Sequence, residues 1–125
     1  MTKTKMAALA CAAALVLPAA ANARCEFYEH WDFGGGAVSL QPGECVIFDP
    51  SESRSSRNDS MCQNYATQYE SLEFQGNVSS ARVFDGATVG LKWYENGSPV
   101  VEVSPFDVPQ MGPNMNDRIV AATCS

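Results

Sequence analysis

Residues 25–40, CEFYEHWDFGGGAVSL, decide how the rest of the chain is interpreted. Apolar and polar residues alternate with a period near two around residues 26–29 and again over residues 37–40, which is typical of β-strands. The glycines between them can adopt positive φ angles that a side chain would resist. Trp31 and Phe33 lie in the connection rather than in a strand. The stretch therefore predicts a β-hairpin that folds over on itself, with both aromatic rings packed back over the arch.

Residues 1–23 have the pattern of a secretory signal peptide. Lys3 and Lys5 precede an apolar, alanine-rich run over residues 6–17, and Ala-Asn-Ala at residues 21–23 supplies the small side chains of a cleavage site. The apolar run is shorter than the roughly 20 residues that a membrane-spanning helix needs. We expect cleavage after Ala23, a secreted or periplasmic location, and a folded domain over residues 24–125 with no membrane span.

The chain is acidic, with 14 Asp and Glu against 8 Lys and Arg, and its net charge is −6. Removal of the leader takes Lys3 and Lys5 away and leaves the exported domain more acidic still. Such a charge disfavours nucleic-acid binding, because basic side chains supply the contacts to phosphate. It is compatible with solubility alone, with cation binding, or with docking to a basic protein partner.

Cysteine usage agrees with export. One of the five cysteines, Cys11, leaves with the leader, and the four that remain are Cys25, Cys45, Cys62 and Cys124. Four cysteines in a small exported domain favour two disulfides, for which three connectivities are open. Zinc is the alternative, but the chain has no CxxC pair and a single histidine, His30. Of the three pairings we expect Cys45–Cys62, closing the polar segment between them, and Cys25–Cys124, tying the two ends together.

The middle of the chain alternates between strand-like and loop-like segments. Residues 45–48 predict a short apolar strand, and the polar, serine-rich residues 49–60 predict an exposed loop. Tyr65, Tyr69 and Leu72 recur at three-to-four spacing, which predicts one helical turn or a loop over residues 61–73. Residues 87–103 predict a hairpin closed by Asn96-Gly97, a strong signal for a type I′ turn.

Two parts of the sequence resemble the repeated motif of the βγ-crystallins. An aromatic-Tyr-Glu followed by an aromatic-x-Gly occurs at Tyr28 and at Phe33 to Gly35, and Ser-Ser-Ala-Arg-Val at residues 79–83 is similar to the strand that closes the motif. Residues 92–95, Lys-Trp-Tyr-Glu, resemble the start of a second copy, which lacks the aromatic-x-Gly arch. Residues 116–124 resemble its closing strand.

This resemblance implies an all-β fold, a βγ-crystallin-like double Greek-key β-sandwich stabilised by disulfides. Motif one would cover residues 25–84 and motif two residues 87–124. In the first motif, the resemblance gives Tyr28, Phe33 and Gly35 a structural role in the folded hairpin. It also implies that Ser79 packs under the arch and hydrogen-bonds the backbone there.

The resemblance also implies a calcium site. In the family the motif Asn/Asp-Asn/Asp-x-x-Ser/Thr-Ser supplies ligands, and an Asn or Asp from one copy joins the hydroxyl of the other. Motif one keeps the hydroxyl at Ser79 but lacks the acidic or amide pair, whereas motif two keeps Asn116 and Asp117 but has Val120 in place of the hydroxyl. We therefore expect at most one weak calcium site, formed by Asn116, Asp117 and Ser79 with Glu29 close by. The alternative is that these residues only cap a turn and brace the hairpin.

Catalysis has little support in the sequence, since there is no nucleophile elbow, histidine-based metal motif or paired-acid constellation. We expect a non-enzymatic protein. One alternative to calcium binding is an exported inhibitor of a protease or of lysozyme, with the proline-containing segment Ser104–Met115 as the inhibitory loop. Another is a purely structural or stress-protective domain.

Overall fold

The computed structural model describes residues 22–50, 52, 61–65 and 67–125. The predicted leader lies outside the described residues, apart from its last two positions. Most of the loop predicted over residues 49–60 lies outside them as well. In the described ranges, no helix is long and apolar enough to cross a membrane.

Eight β-strands form two sheets in this part of the chain. They are β1 (Arg24–His30), β2 (Gly34–Leu40), β3 (Glu44–Ile47), β4 (Thr67–Glu70), β5 (Ser80–Phe84), β6 (Val89–Glu95), β7 (Ser98–Ser104) and β8 (Ala121–Cys124). The first sheet has the order β2-β1-β5 and the second the order β4-β3-β8-β6-β7. Short 3₁₀ turns occupy Trp31–Phe33 and Leu72–Phe74. The all-β, two-sheet prediction is confirmed.

The two halves of the chain exchange backbone between the sheets. β3, from the first half, pairs antiparallel with β8 in the second sheet, where Cys45 lies opposite Thr123. In return, Val108 from the second half exchanges two backbone hydrogen bonds with Ala81 of β5, at 2.8 and 2.9 Å. Each sheet therefore contains backbone from both halves, as in Greek keys that interlock.

The main core lies between the two sheets. Alternate residues of β1 and β6 point into it, so that Phe27, Leu91 and Trp93 are buried while their neighbours face the other way. The ring of Phe27 meets that of Phe48 edge to face, with 6.2 Å between centroids. Because the pattern has a period of two on both strands, the hydrophobic faces of the two sheets meet and exclude water.

A smaller core lies on the outer side of the second sheet. Along β3, Val46 belongs to the main core, and the alternating Cys45 and Ile47 therefore face the opposite side, where they pack with Cys62. The segment that carries Cys62 thus covers this face of the sheet. Two disulfides are present, Cys45–Cys62 and Cys25–Cys124, in the pairing expected from the order of the chain.

The hairpin predicted around Asn96-Gly97 is present as β6 and β7. Both turn residues have positive φ, 52° for Asn96 and 80° for Gly97, as a type I′ turn requires. The prediction for residues 61–73 was wrong over Thr67–Glu70, which form β4, parallel to β3. All four residues of β4 are exposed. This strand therefore forms by backbone pairing at the sheet edge rather than by burial of side chains. Because neither face of the strand is buried, its sequence has no alternation of apolar and polar residues.

The arch of the opening hairpin is held by Ser80. Its hydroxyl donates to the carbonyl of His30 at 2.6 Å and accepts from the N–H of Phe33 at 3.1 Å. The expectation that Ser79 makes this contact was wrong by one residue, because adjacent side chains on an extended chain point in opposite directions. Phe33 packs edge to face on Tyr28, with 5.7 Å between centroids. Trp31, expected to pack over the arch, is instead 52% exposed.

Candidate functional site

Side chains from three separate segments meet at a cleft of about 340 Å³, which we call the cation cleft. The arch contributes Glu29, His30 and Trp31, the segment before β5 contributes Asn77 and Ser79, and the segment before β8 contributes Asn116 and Asp117. All four residues expected as calcium ligands therefore line one cleft. His30, Trp31 and Asn77 were not anticipated there, although Asn77 lies within the motif that contains Ser79.

Ser79 and Asp117 form the centre of the cation cleft. The hydroxyl of Ser79 donates to Oδ1 of Asp117 at 2.9 Å, across 38 residues of sequence. The backbone N–H of Asp117 donates to the carbonyl of Val78 at 3.0 Å, and the N–H of Ser79 donates to the carbonyl of Tyr28 at 2.9 Å. Asp117 has φ of 58°, a left-handed conformation that Asp tolerates better than most residues. The backbone thus holds both side chains towards each other.

Asn116 links this pair to the exposed tryptophan. Its side-chain oxygen accepts from Nε1 of Trp31 at 3.2 Å, and its side-chain nitrogen donates to Oδ2 of Asp117 at 3.4 Å. The N–H of Asn116 also donates to the carbonyl of Gly112 at 2.8 Å. The amide is therefore oriented on both sides, with its oxygen towards the indole.

Glu29 is tied to the arch by one carboxylate oxygen. Oε1 accepts from the N–H of Gly36 at 2.9 Å. A Cβ atom added at Gly36 would lie 2.4 Å from that oxygen, so a side chain there would displace the carboxylate. The third glycine of the arch therefore keeps Glu29 at the rim of the cation cleft.

The ligand chemistry of the cation cleft is that of oxygen. Across the residues that the structure describes, no three His, Cys, Asp or Glu side chains group closely enough to hold a metal ion by themselves. The cleft offers two carboxylates, a hydroxyl and two amide oxygens, which suit a hard cation such as calcium better than a soft one. This donor set fits calcium only if backbone carbonyls or water complete the shell.

The segment Ser104–Met115 presents one aromatic side chain to solvent. Phe106 is 75% exposed, and its backbone is fixed by the hydroxyl of Ser104, which accepts from its N–H at 3.1 Å and donates to its carbonyl at 2.9 Å. The next residue, Asp107, accepts from the N–H of Val83 at 2.9 Å, and Val108 pairs with Ala81. The chain is therefore held on both sides of the exposed ring.

Solved structures of βγ-crystallin domains have a similar architecture. No protein-family model and no curated protein match the sequence. The structure is similar to a βγ-crystallin domain from Clostridium beijerinckii, at 22% identity and a TM-score of 0.51 over 80% of this chain and 94% of that chain. It is also similar to a βγ-crystallin domain from Flavobacterium johnsoniae, at 15% identity and a TM-score of 0.53 over 81% and 92% of the two chains.

A third similar structure is the βγ-crystallin domain of Abundant Perithecial Protein from Neurospora crassa in its Ca²⁺-bound form. It shares 12% identity with this chain, at a TM-score of 0.53 over 82% of this chain and 87% of that chain. Together with the exchanged strands and the arch held by Ser80, these similarities show that the protein has the βγ-crystallin fold.

Proposed function

We propose that this protein is an exported, non-enzymatic domain that binds one calcium ion in the cation cleft. The observation that carries the proposal is the 2.9 Å contact between the hydroxyl of Ser79 and the carboxylate of Asp117, two residues from different halves of the chain. A calcium-bound domain of the same fold among the similar structures supports this choice of metal.

Asp117, Ser79, Asn116 and Glu29 are the proposed side-chain ligands. Calcium takes six to eight oxygens, so backbone carbonyls and water must supply the others. Cation binding requires the Ser79 hydroxyl to turn its proton away from Asp117, and it competes with the hydrogen bond between Trp31 and Asn116. With few charged ligands and these bonds to exchange, we expect a dissociation constant of roughly 10⁻⁴ to 10⁻³ M, the range of weak extracellular calcium modules.

We expect a single site. The corresponding position in the other half would combine residues 75 and 76 with Val120, whose side chain offers no oxygen. Gly76 has no side chain to contribute either. A calcium ion held there would have the amide oxygen of Gln75 as its one side-chain ligand, with backbone carbonyls and water for the rest and no carboxylate, which is a poor site for a hard divalent cation.

The test is a calorimetric titration of the metal-stripped protein with calcium, with thermal melting in parallel. We expect one binding event and a melting temperature that rises with calcium, because a ligand that binds only the folded state stabilises it. Asp117→Asn removes the charge and keeps a residue that tolerates positive φ, and it should abolish both effects. Asp85→Asn is the matched control, since Asp85 also has positive φ, 53°, but lies outside the cleft.

The absence of heat and of a melting shift at millimolar calcium would refute the proposal. Binding that survives Asp117→Asn would place the ion elsewhere and would refute the ligand assignment. A stoichiometry of two would contradict the loss of the second site.

The leader pattern of residues 1–23 and the two disulfides support export, because disulfides persist in oxidising compartments. The proposal predicts a protein whose first residue after processing is Arg24. N-terminal sequencing of the protein recovered from the periplasm or the medium tests this directly, and an intact Met1 on the folded, oxidised protein would contradict it.

Inhibition of a secreted protease or of lysozyme is a second candidate function, favoured by the exposed ring of Phe106. A side chain presented on a backbone held from both sides can enter a partner's pocket at little cost in conformational entropy. Inhibition of chymotrypsin, thermolysin or lysozyme that is lost in Phe106→Ala and kept in Tyr69→Ala, another exposed aromatic, would support this function. Unchanged enzyme rates at high inhibitor concentration would exclude these targets.

A further inference from the structure

A second cleft, of about 530 Å³, adjoins the cation cleft and shares Trp31 and Asn116 with it. We call it the tryptophan cleft. Its walls come from the arch of the first hairpin and from the segment between residues 110 and 118, with Met111 buried at its base. The proposed calcium ligands include Asn116 but none of the other residues that line this cleft, and Phe106 lies outside it.

The indole of Trp31 is unusually open for its size. The side chain is 52% exposed, whereas the other tryptophan of the chain, Trp93, is 5% exposed and belongs to the core. The hydrogen bond from Nε1 of Trp31 to Asn116 fixes the ring. The cleft thus presents a flat apolar surface whose orientation is already set.

Polar side chains without negative charge surround this ring. Gln110 and Asn116 provide amides, which both donate and accept hydrogen bonds, and Arg118 provides a guanidinium. Among the described residues, the guanidinium of Arg118 makes no hydrogen bond or ion pair. No Asp or Glu lines the cleft, although the chain as a whole has a net charge of −6.

The walls of the cleft are held together by the backbone. The N–H of Asp32 donates to the carbonyl of Pro109 at 2.8 Å, and the N–H of Met111 donates to the carbonyl of Ser79 at 3.1 Å. These bonds join the arch and the segment before β5 to the segment that carries the amides. Because the site is already ordered, little conformational entropy would be lost when a ligand binds.

We propose that the tryptophan cleft binds a saccharide, with one pyranose ring stacked on Trp31 and its hydroxyl groups bonded by Gln110, Asn116 and Arg118. A sugar ring has an apolar C–H face and a rim of groups that donate and accept, which matches an indole bordered by amides. Asn116 is already bonded to Trp31 and Asp117, and Gln110 donates to Asp32 at 3.4 Å, so Arg118 is the group that a wholly apolar ligand would cover without a partner. Because a guanidinium can bind a carboxylate through two parallel hydrogen bonds, a uronic-acid sugar should bind more tightly than a neutral one.

The test measures tryptophan fluorescence and heat as the full exported chain is titrated with cellohexaose, chitohexaose and hexagalacturonate. EDTA in the buffer makes the result independent of the calcium proposal. We expect saturable binding of at least one oligosaccharide, tightest for hexagalacturonate. Trp31→Ala should weaken binding about tenfold or more, and Trp31→Phe, which keeps an aromatic ring, should weaken it less. Arg118→Gln should remove the preference for the acidic oligosaccharide.

Phe106→Ala is the matched control, since it removes an exposed aromatic ring outside the cleft, and it should leave binding unchanged. Melting curves verify that each variant folds, and Gln110→Ala replaces Trp31→Ala if that variant does not. Binding that persists in both Trp31→Ala and Gln110→Ala would overturn the proposal. The proposal would also be overturned if none of the three oligosaccharides showed saturable binding up to about 10 mM. A dissociation constant above that concentration corresponds to a binding free energy too small for a specific site.

Discussion

The Nζ atom of Lys92 lies 2.7 Å from Oε1 of Glu52, and both side chains are almost completely buried. Lys92 is on the outer face of β6, where an exposed polar residue would be ordinary, but Glu52 covers it. The same carboxylate oxygen accepts from the N–H of Met61 at 3.1 Å. The ion pair thus attaches the segment after β3 to the second sheet, next to the disulfide Cys45–Cys62.

Replacement of either member of this pair should be strongly destabilising. Glu52→Leu alone leaves a buried ammonium without its carboxylate, and the expected loss in the free energy of unfolding is about 3–5 kcal/mol. Glu52→Leu combined with Lys92→Met removes both charges and should recover most of that loss. Urea unfolding curves of the two single variants and the double variant measure the coupling.

Asp107→Asn is the control for that experiment, because Asp107 forms an exposed pair with Arg82 at 4.0 Å and the amide keeps an acceptor for Val83. It should change stability by less than about 1 kcal/mol. A double variant that is no more stable than the worse single variant would contradict the account of the buried pair.

The two adjacent serines should separate stability from metal binding. Ser80→Ala leaves the partly buried N–H of Phe33 without its acceptor, and we expect a loss of about 1–3 kcal/mol. Ser79→Ala should change stability less, because its hydroxyl makes one hydrogen bond, to Asp117, whereas the hydroxyl of Ser80 makes two, but it should weaken calcium binding. Thermal melting with and without calcium distinguishes the two. Equal destabilisation by both variants would contradict the assignment of the arch contact to Ser80.

The two disulfides should contribute unequally. A cross-link stabilises by restricting the unfolded chain, and the restriction grows with the loop that it closes. Cys25–Cys124 spans 99 residues and Cys45–Cys62 spans 17. In the loop-entropy account, replacement of the first pair by alanines should cost about 4–5 kcal/mol and of the second about 3 kcal/mol. Denaturant unfolding of the two double variants tests the order, and a greater loss for Cys45–Cys62 would reverse it.

Alkaline pH should weaken the fold through Tyr28. Burial and then the hydrogen bond to Glu26 raise the pKa of Tyr28 to about 12, from 10.0. The folded state therefore favours the neutral phenol, so this stabilisation is complete below pH 10 and is lost as the pH rises towards 12. The free energy of unfolding should fall less steeply over this interval in Tyr28→Phe than in the natural chain.

Tyr69→Phe provides the comparison. The hydrogen bond to Glu44 raises the pKa of Tyr69, but this side chain is exposed, and its removal should change the alkaline slope less. An alkaline slope in Tyr28→Phe that equals that of the natural chain would show that Tyr28 does not couple to folding.

Local patterns in the sequence were sufficient for several features of this protein. Alternation around Phe27 and along residues 89–93 predicted strands because side chains on a strand alternate between core and solvent. Asn96-Gly97 predicted its turn because few residue pairs accept two successive positive φ angles. Such features depend on a residue and its near neighbours, and the sequence displays those directly.

The convergence of distant side chains was predictable only through the resemblance of motifs, as for Ser79 and Asp117. Contacts between distant residues that belong to no known motif could not be predicted from the sequence. Nothing in it indicates that Lys92 pairs with Glu52, 40 residues away, or that Trp31 stands open beside Arg118.

The sequence by itself therefore determined the strand periodicity, the tight turns and the cysteine content, since each follows from local backbone preference or composition. Only the tertiary structure decided that β4 pairs at the edge of a sheet, that Ser80 rather than Ser79 holds the arch, and that two clefts meet at Asn116. The physical reason is that these relations arise when sheets from both halves of the chain pack on each other. That packing brings together groups whose separation in sequence carries no information about their separation in space.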